Sequence, residues 1–259
     1  MRRDSQMRLS AILAAAALAA CLWPHASGAA TTFGAAPAAA PAAAKPKKAL
    51  LALTAYDIDA QRLLAPPPAD DSNATRAELA ELRLIIAART PERFAQARWD
   101  DEHEDPSAFY QVIGGGFDLQ RLPATAALMA VVMNDEAVAA KAAKKTYPRK
   151  RPWAVDATIP NCDPDDKPLT SYPSGHAMMG YTAAIVFASL MPEKAPAIQA
   201  RARDYAFSRE VCGAHFASDT EASHALAEAV AAALLASPQL QPKIAAARAE
   251  LRGAGFTGR

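Results

Sequence analysis

The chain has 259 residues, 51% of them hydrophobic, 7% aromatic and 21% charged, and 28 Lys+Arg against 27 Asp+Glu give a formal net charge of +1. That length suits one domain of about 200 residues with an extension to spare. Balanced charge nominates neither nucleic acid nor an anionic membrane as partner. Recurring apolar blocks exclude a wholly disordered chain, and after residue 30 no run reaches the roughly 20 consecutive apolar residues of a spanning helix.

The first 29 residues read as an export signal. Arg2, Arg3 and Arg8 precede the apolar stretch from Leu9 to Leu22, and Ser27-Gly28-Ala29 offers small residues for cleavage. Leu18-Ala19-Ala20-Cys21 also fits a lipidation signal in which Cys21 becomes the first mature residue, although bulky Leu22 and Trp23 follow it. The expected location is therefore the periplasm, either free or lipid-anchored to a membrane facing it. Residues 30–50 are rich in Ala and Pro and carry no periodic apolar face, so a linker is expected there, with a folded domain over 51–259.

Helical punctuation runs through that domain. Thr75-Arg76-Ala77-Glu78 reads as a capping box opening a helix with Leu79, Leu82 and Ile86 on one face. Thr90 followed by Pro91 starts the next and buries Phe94. A long helix is expected from Pro123 to about Lys144, burying Leu128, Val131, Val132 and Val138. Ser174 caps a helix carrying Tyr181, Ile185 and Phe187 that stops before Pro192, and Ile198, Ala202, Tyr205 and Cys212 mark another. Ser218-Asp219-Thr220-Glu221 reads as a second capping box, followed by Leu226, Val230 and Leu234. No comparable alternating run appears. The expected class is all-α, a compact helical bundle with little or no strand.

Three patches carry reactive chemistry: Lys144-x6-Arg151-Pro152, Pro173-Ser174-Gly175-His176, and Ser208-Arg209-x5-His215-x3-Asp219. Each has an ordinary reading taken alone. Lys144 and Arg151 belong to a basic run with Lys141, Lys145, Arg149 and Lys150, which suggests a solvated face; Pro-Ser-Gly is common turn chemistry, and Asp219 suits a helix start. At about 5% usage per residue type, one four-residue match in such a chain has a chance on the order of a tenth of a per cent. Three in order change the reading.

Together they resemble the three-part signature of the type 2 phosphatidic acid phosphatase superfamily, and within it the chain is most similar to the soluble bacterial class A nonspecific acid phosphatases. Weaker similarity extends upstream through Leu63-Leu64-Ala65-Pro66-Pro67-Pro68 and Arg89-Thr90-Pro91. The resemblance implies a helical bundle of the kind shared with vanadium haloperoxidases, and an exported acid phosphatase acting on small-molecule phosphate esters. It implies His215 as the nucleophile that becomes phosphohistidine, and His176 as the acid that protonates the leaving oxygen and later activates water. Asp219 orients His215, while Lys144, Arg151, Ser174, Gly175 and Arg209 hold the phosphoryl oxygens. The physical logic agrees. Fixed cations match charge spread over three equatorial oxygens, the Arg fork binds two oxygens, and Gly175 allows close backbone approach. No cofactor or metal is implied, and His-Glu-x-x-His and Cys-x-x-Cys are absent from the sequence.

In an oxidising compartment the two cysteines left after Cys21, Cys162 and Cys212, are expected to pair. His103 among Asp100, Asp101, Glu102, Glu104 and Asp105 reads as a solvated acidic loop. Ser223 stands where the resembled family usually has Gly, which bears on local helix packing. Trp99, Trp153, Tyr172 and Phe216 are expected in the core, with pocket lining as the alternative. Rival functions are a lipid or isoprenoid-diphosphate phosphatase of the same superfamily, a vanadate-dependent haloperoxidase, and a noncatalytic phosphate or polyanion binder using 141–151. Assembly state is open, a homo-oligomer included, as are the natural substrate, the pH optimum and any phosphotransferase activity.

Overall fold

A computed structural model of the chain describes residues 49–162 and 166–258, which lie in one unit, Pro46–Arg259. The expected signal, Cys21 and all of the linker but Ala49 and Leu50 lie outside the described residues. Helices form in the order α1 Ala60–Leu63, α2 Asn73–Ala88, α3 Pro91–Glu102, α4 Tyr110–Ile113, α5 Pro123–Thr146, α6 Pro152–Val155, α7 Gly175–Leu190, α8 Ala195–Val211, α9 Ala217–Ala236 and α10 Gln241–Gly253. Among the described residues no strand forms; a lone parallel bridge pairs Arg149 with Thr170. The protein is all-α, as its periodicity predicts.

Caps explain most of the boundaries. Thr90 Oγ1 accepts from Arg93 N at 3.1 Å with Pro91 in the first turn of α3, and Ser174 Oγ accepts from Ala177 N at 3.3 Å at the start of α7. The two expected capping boxes are displaced. Ser72, three residues before Thr75, caps α2 by accepting from Thr75 N at 3.1 Å. In α9 the cap position is Phe216 rather than Ser218, and Asp219, now the third helical residue, accepts from Phe216 N at 2.9 Å. In both cases the residues assigned to capping, Glu78 and Ser218, have side chains engaged with Arg149 instead.

The core is built around α7, which packs against α8, α9 and α5. Gly175, Gly180, Thr182, Ile185 and Val186 give it poor intrinsic helicity. Burial outweighs that: Met178, Met179, Val186, Phe187 and Leu190 are all buried, and a large apolar side chain contributes about 2 kcal/mol on full burial. Gly180 is required by close approach, since a Cβ there would stand 2.7 Å from Tyr205 Cδ1 on α8. Leu128 and Val132 of α5 and Leu226, Val230 and Leu234 of α9 complete the same core, joined by Ile244 and Leu251 of α10, a helix the periodicity reading did not single out. Asp135 of α5, fully buried, accepts from the backbone N–H groups of Leu51, Ala52 and Leu53 at 2.8–2.9 Å and so fixes where the chain enters the domain.

Of the four aromatic residues expected in the core, Tyr172 and Phe216 are buried and Trp153 packs beside Phe216. Trp99 departs from that expectation: it is 39% exposed and stacks on His103 with ring centroids 4.0 Å apart. Phe94 is half-buried beneath the Arg89 guanidinium, 4.0 Å from its ring centroid.

Candidate active site

The three motif patches converge where the end of α5, the loop before α6, the start of α7, the end of α8 and the start of α9 meet. Lys144, in the last turn of α5, donates from Nζ to Thr170 O at 2.6 Å and to Pro173 O. Arg151 donates to Ala214 O and lies 3.0 Å from His215 Nε2, both through Nη1, and its Nη2 pairs with Asp166 at 2.7 Å. Arg209, fully buried, pairs with Asp101. Ser174 N donates to Asp219 O at 3.3 Å, joining the second motif to the third. Lys144 also borders Gly175, where a Cβ would stand 3.9 Å from its Cε.

His215 is 1% exposed. Arginine has donors only, so the nitrogen facing Arg151 presents its lone pair and the ring proton sits on Nδ1. Burial, reinforced by Arg151, Lys144 and Arg209, holds this imidazole well below its ordinary 6.5, so it is neutral. His176 is likewise held well below 6.5 by burial and Arg209, against the opposing Asp101 carbonyl. Its Nε2 donates to Asp101 O at 2.9 Å, leaving Nδ1 facing Glu104 Oε1 at 3.6 Å. Burial, followed by Arg151, brings Lys144 down to about 7.

Asp219 is fully buried and its carboxylate is heavily subscribed. Oδ1 accepts from Arg149 at 2.7 Å, and Oδ2 accepts from Ser171 Oγ at 2.5 Å and Phe216 N at 2.9 Å. The contact with His215 is looser than the motif predicts: Nδ1 lies 3.4 Å from Oδ2 and forms no hydrogen bond.

The sequence reading missed several residues here. Arg149 is not part of a solvated charge run; it is 1% exposed, pairs with Asp219 and Glu78, and lies 4.1 Å from the Phe216 ring centroid. Nor is the acidic stretch at the end of α3 and just beyond it simply solvated. Asp100 is fully buried and accepts from Gln96, Ser208 and Arg201, Asp101 holds Arg209, and Glu104 faces His176, its carboxyl pushed upward by burial against the pull of Arg209 and Lys144. Only acidic side chains near motif cations in sequence could have been flagged, and these lie tens of residues away. Ser223, in place of Gly, donates its hydroxyl to Ser174 O at 2.9 Å and Asp219 O at 2.7 Å, so the departure adds a tie between α7 and α9.

Cys162 and Cys212 form a disulfide with Cα atoms 5.2 Å apart, and Cys212 is buried with Ala97, Val211 and Ala214. Beside Lys144 and Gly175 a cavity of about 340 Å³ is lined by Met133, Ala140, Met179 and Glu104. Among the described residues no group of three or more His, Cys, Asp or Glu side chains is arranged to hold a metal ion, and no helix is long and apolar enough to cross a membrane.

Residues 123–243 match the PAP2 superfamily. The chain is 31% identical to an acid phosphatase of Zymomonas mobilis over 198 residues, 74% of this chain and 75% of the relative. It is 30% identical over 202 residues to a non-specific acid phosphatase of Salmonella typhimurium, covering 75% and 80%, and 29% identical over 201 residues to one of Providencia stuartii, covering 74% and 81%.

Proposed function

The chain belongs to the PAP2 superfamily and is a phosphatase, and from that premise we propose that it is an exported enzyme that hydrolyses small phosphate monoesters through a covalent phosphohistidine on His215. The carrying observation is the lone pair of a buried, neutral His215 Nε2 directed into a cluster of cations. Neutral imidazole is the nucleophilic form, and burial beside three cations keeps it so.

In this reading an incoming phosphoryl group exchanges places with existing partners. Its oxygens take over donors of Arg151, Arg209 and Lys144 and the backbone N–H groups at the α7 start, beside Ser174 and Gly175. Drawing Arg151 onto oxygen uncovers Nε2. The new N–P bond forms as the P–O bond breaks, and the electron pair goes to the alcohol oxygen, which takes a proton from His176. His176 is neutral in the free site; the arriving dianion offsets Arg209 and raises its proton affinity, so Nδ1 takes up a proton from solvent before the P–O bond breaks and gives that proton to the leaving oxygen, while Nε2–H stays on Asp101 O. Water then attacks phosphorus, giving its proton to His176, and Nε2 leaves. Fixed cations supply the charge stabilisation, so the scheme needs no metal ion. The cavity lined by Met133, Ala140 and Met179 receives the leaving alcohol.

Export through the first 29 residues, the linker over 30–50 and a catalytic domain over 51–259 complete the proposal, and the Cys162–Cys212 disulfide supports an oxidising location. The test is turnover of a soluble aryl phosphate by the mature domain in excess chelator, with His215→Ala beside it. Chelator-resistant turnover lost in the variant is expected; turnover retained by His215→Ala refutes the nucleophile.

A further inference from the structure

Behind His215 runs a buried chain of alternating charge that ends on a helix outside the three motifs. Asp219 Oδ1 meets Arg149 Nη1 at 2.7 Å, and Arg149 Nη2 meets Glu78 Oε2 at 2.8 Å. Asp219 and Arg149 are 0% and 1% exposed and Glu78 is 14% exposed. Ser218, beside Asp219, is held from both sides: its hydroxyl accepts from Arg149 Nη1 at 2.7 Å and its N–H donates to Glu78 Oε1 at 2.8 Å. The α9 N-terminus, with Asp219 on it, is thereby clamped to α2.

Asp219, Arg149 and Glu78 together carry one net negative charge. With neutral His215 the chain itself ends in that net charge; when Nε2 bonds to phosphorus and Nδ1 keeps its proton, the ring becomes an imidazolium and the chain reads plus, minus, plus, minus. Without Glu78, Arg149 would cancel Asp219 and leave no net negative charge on the Nδ1 side of the buried imidazolium, a costly arrangement.

We propose that Arg149 and Glu78 are positioning residues for the reaction: Arg149 fixes Asp219 behind the nucleophile, and Glu78 supplies the charge that lets this chain receive an imidazolium. The proposal rests on His215 being the nucleophile. Arg149 and Glu78 bond to Asp219, Ser218 and each other, behind the nucleophile, so their effect falls on the phosphoryl-transfer step and on the protonation of His215, not on substrate affinity.

The readout is the acidic limb of kcat/KM against pH. The groups facing His215 are Asp219, Arg151, Lys144, Arg209 and His176. Those acting on Glu78 and its neighbourhood are Arg149, Glu81 and Glu210, the last pushed up to about 7 by burial, with Glu81, Glu78 and Asp219 adding. Glu210→Gln therefore serves as the control that removes a nearby titration without breaking the chain.

Glu78→Gln is expected to lower kcat on the order of tenfold with KM changed by less than about twofold, and to move the acidic limb about half to one pH unit lower, because less negative charge remains to favour protonated His215. Glu78→Asp, which keeps the charge one methylene short, is expected to lose kcat while keeping the parental limb. It remains interpretable if the Gln variant does not fold. A parental limb in Glu78→Gln, an equal shift in both variants, or a shifted limb in Glu78→Asp overturns the proposal. Turnover retained by His215→Ala overturns the nucleophile and this proposal together, whereas its loss alongside an unmoved limb in Glu78→Gln overturns only the role of Glu78.

Discussion

Gly213→Ala is the substitution whose cost can be worked most directly from the geometry. Gly213 lies between the disulfide cysteine Cys212 and the Ala214-His215 pair, with φ of 73° and its N–H donating to Glu210 O at 2.8 Å. A Cβ there would stand 2.1 Å from Pro160 O, 3.0 Å from Ile159 Cγ2 and 3.2 Å from Pro160 C. The left-handed backbone costs a non-glycine residue about 1–2 kcal/mol. Relieving an overlap of about 1 Å with a main-chain oxygen adds about 1–3 kcal/mol. The 159–160 segment cannot swing away cheaply, because Cys162 is bonded to Cys212. The sum, about 2–5 kcal/mol, lowers Tm by roughly 5–15 °C for a domain of this size. The displacement also passes to Ala214 O, which holds Arg151 at 3.0 Å. Well below Tm, kcat/KM is therefore expected to fall at least about tenfold. Thermal unfolding and steady-state kinetics on the oxidised variant check both numbers. A Tm within about 2 °C of the parent with unchanged kcat/KM would refute the reasoning.

Three further outcomes follow from burial and cross-linking. His215, which must be unprotonated to attack and is held well below 6.5, keeps the acidic limb of kcat/KM under that value, while His176, which must be protonated to serve the leaving oxygen, and Lys144, brought down to about 7, lose charge as pH rises and set the basic limb; a kcat/KM profile whose acidic limb lies at or above 6.5 contradicts this. The same histidines link stability to pH: between 6.5 and their folded values the unfolded chain binds protons that the folded one refuses, so Tm is expected to fall as pH drops through that window and to be insensitive to them above it. Cys162 and Cys212 close a loop of 50 residues, and their replacement by Ser is expected to remove about 4 kcal/mol of stability in the chain-entropy account; urea unfolding with and without reductant measures it, and equal midpoints would count against that contribution.

Legibility of this molecule followed chemical necessity. Thr90 and Ser174 were readable as caps because a side-chain acceptor is needed where helical N–H groups have none. The convergence of Lys144, Arg151, Arg209, His176 and His215 was readable because those residue types stand at the spacing of the resembled signature. What eluded the sequence were the partners of those groups. Glu78 has the look of a capping-box residue and Arg149 that of one member of a basic run, yet they meet across 71 positions, and Arg149 meets Asp219 across 70. The Asp101 carboxylate reaches Arg209 across 108. Nothing local distinguishes a carboxylate that will be buried against a guanidinium from one that faces water. Ser223 shows the complementary case: a departure from the resembled pattern was visible, but the two carbonyls its hydroxyl would bind were not.

The clamp of α2 onto the start of α9 bears on how this protein can be cut or recombined. The segment 123–243 contains every residue of the three motifs and invites excision or grafting as a unit. Yet it leaves behind Glu78, Asp101 and Glu104, the acidic neighbours of Arg149, Arg209 and His176, together with most of α10. A graft bounded by the motifs would carry a knot of buried cations stripped of several counter-ions into its new host. A graft that keeps these pairs together runs from the Asp135-bound entry at Leu51 through α10, and designers exchanging parts between relatives should move α2 and the α3 tail as a set with the loop and helix ends they neutralise.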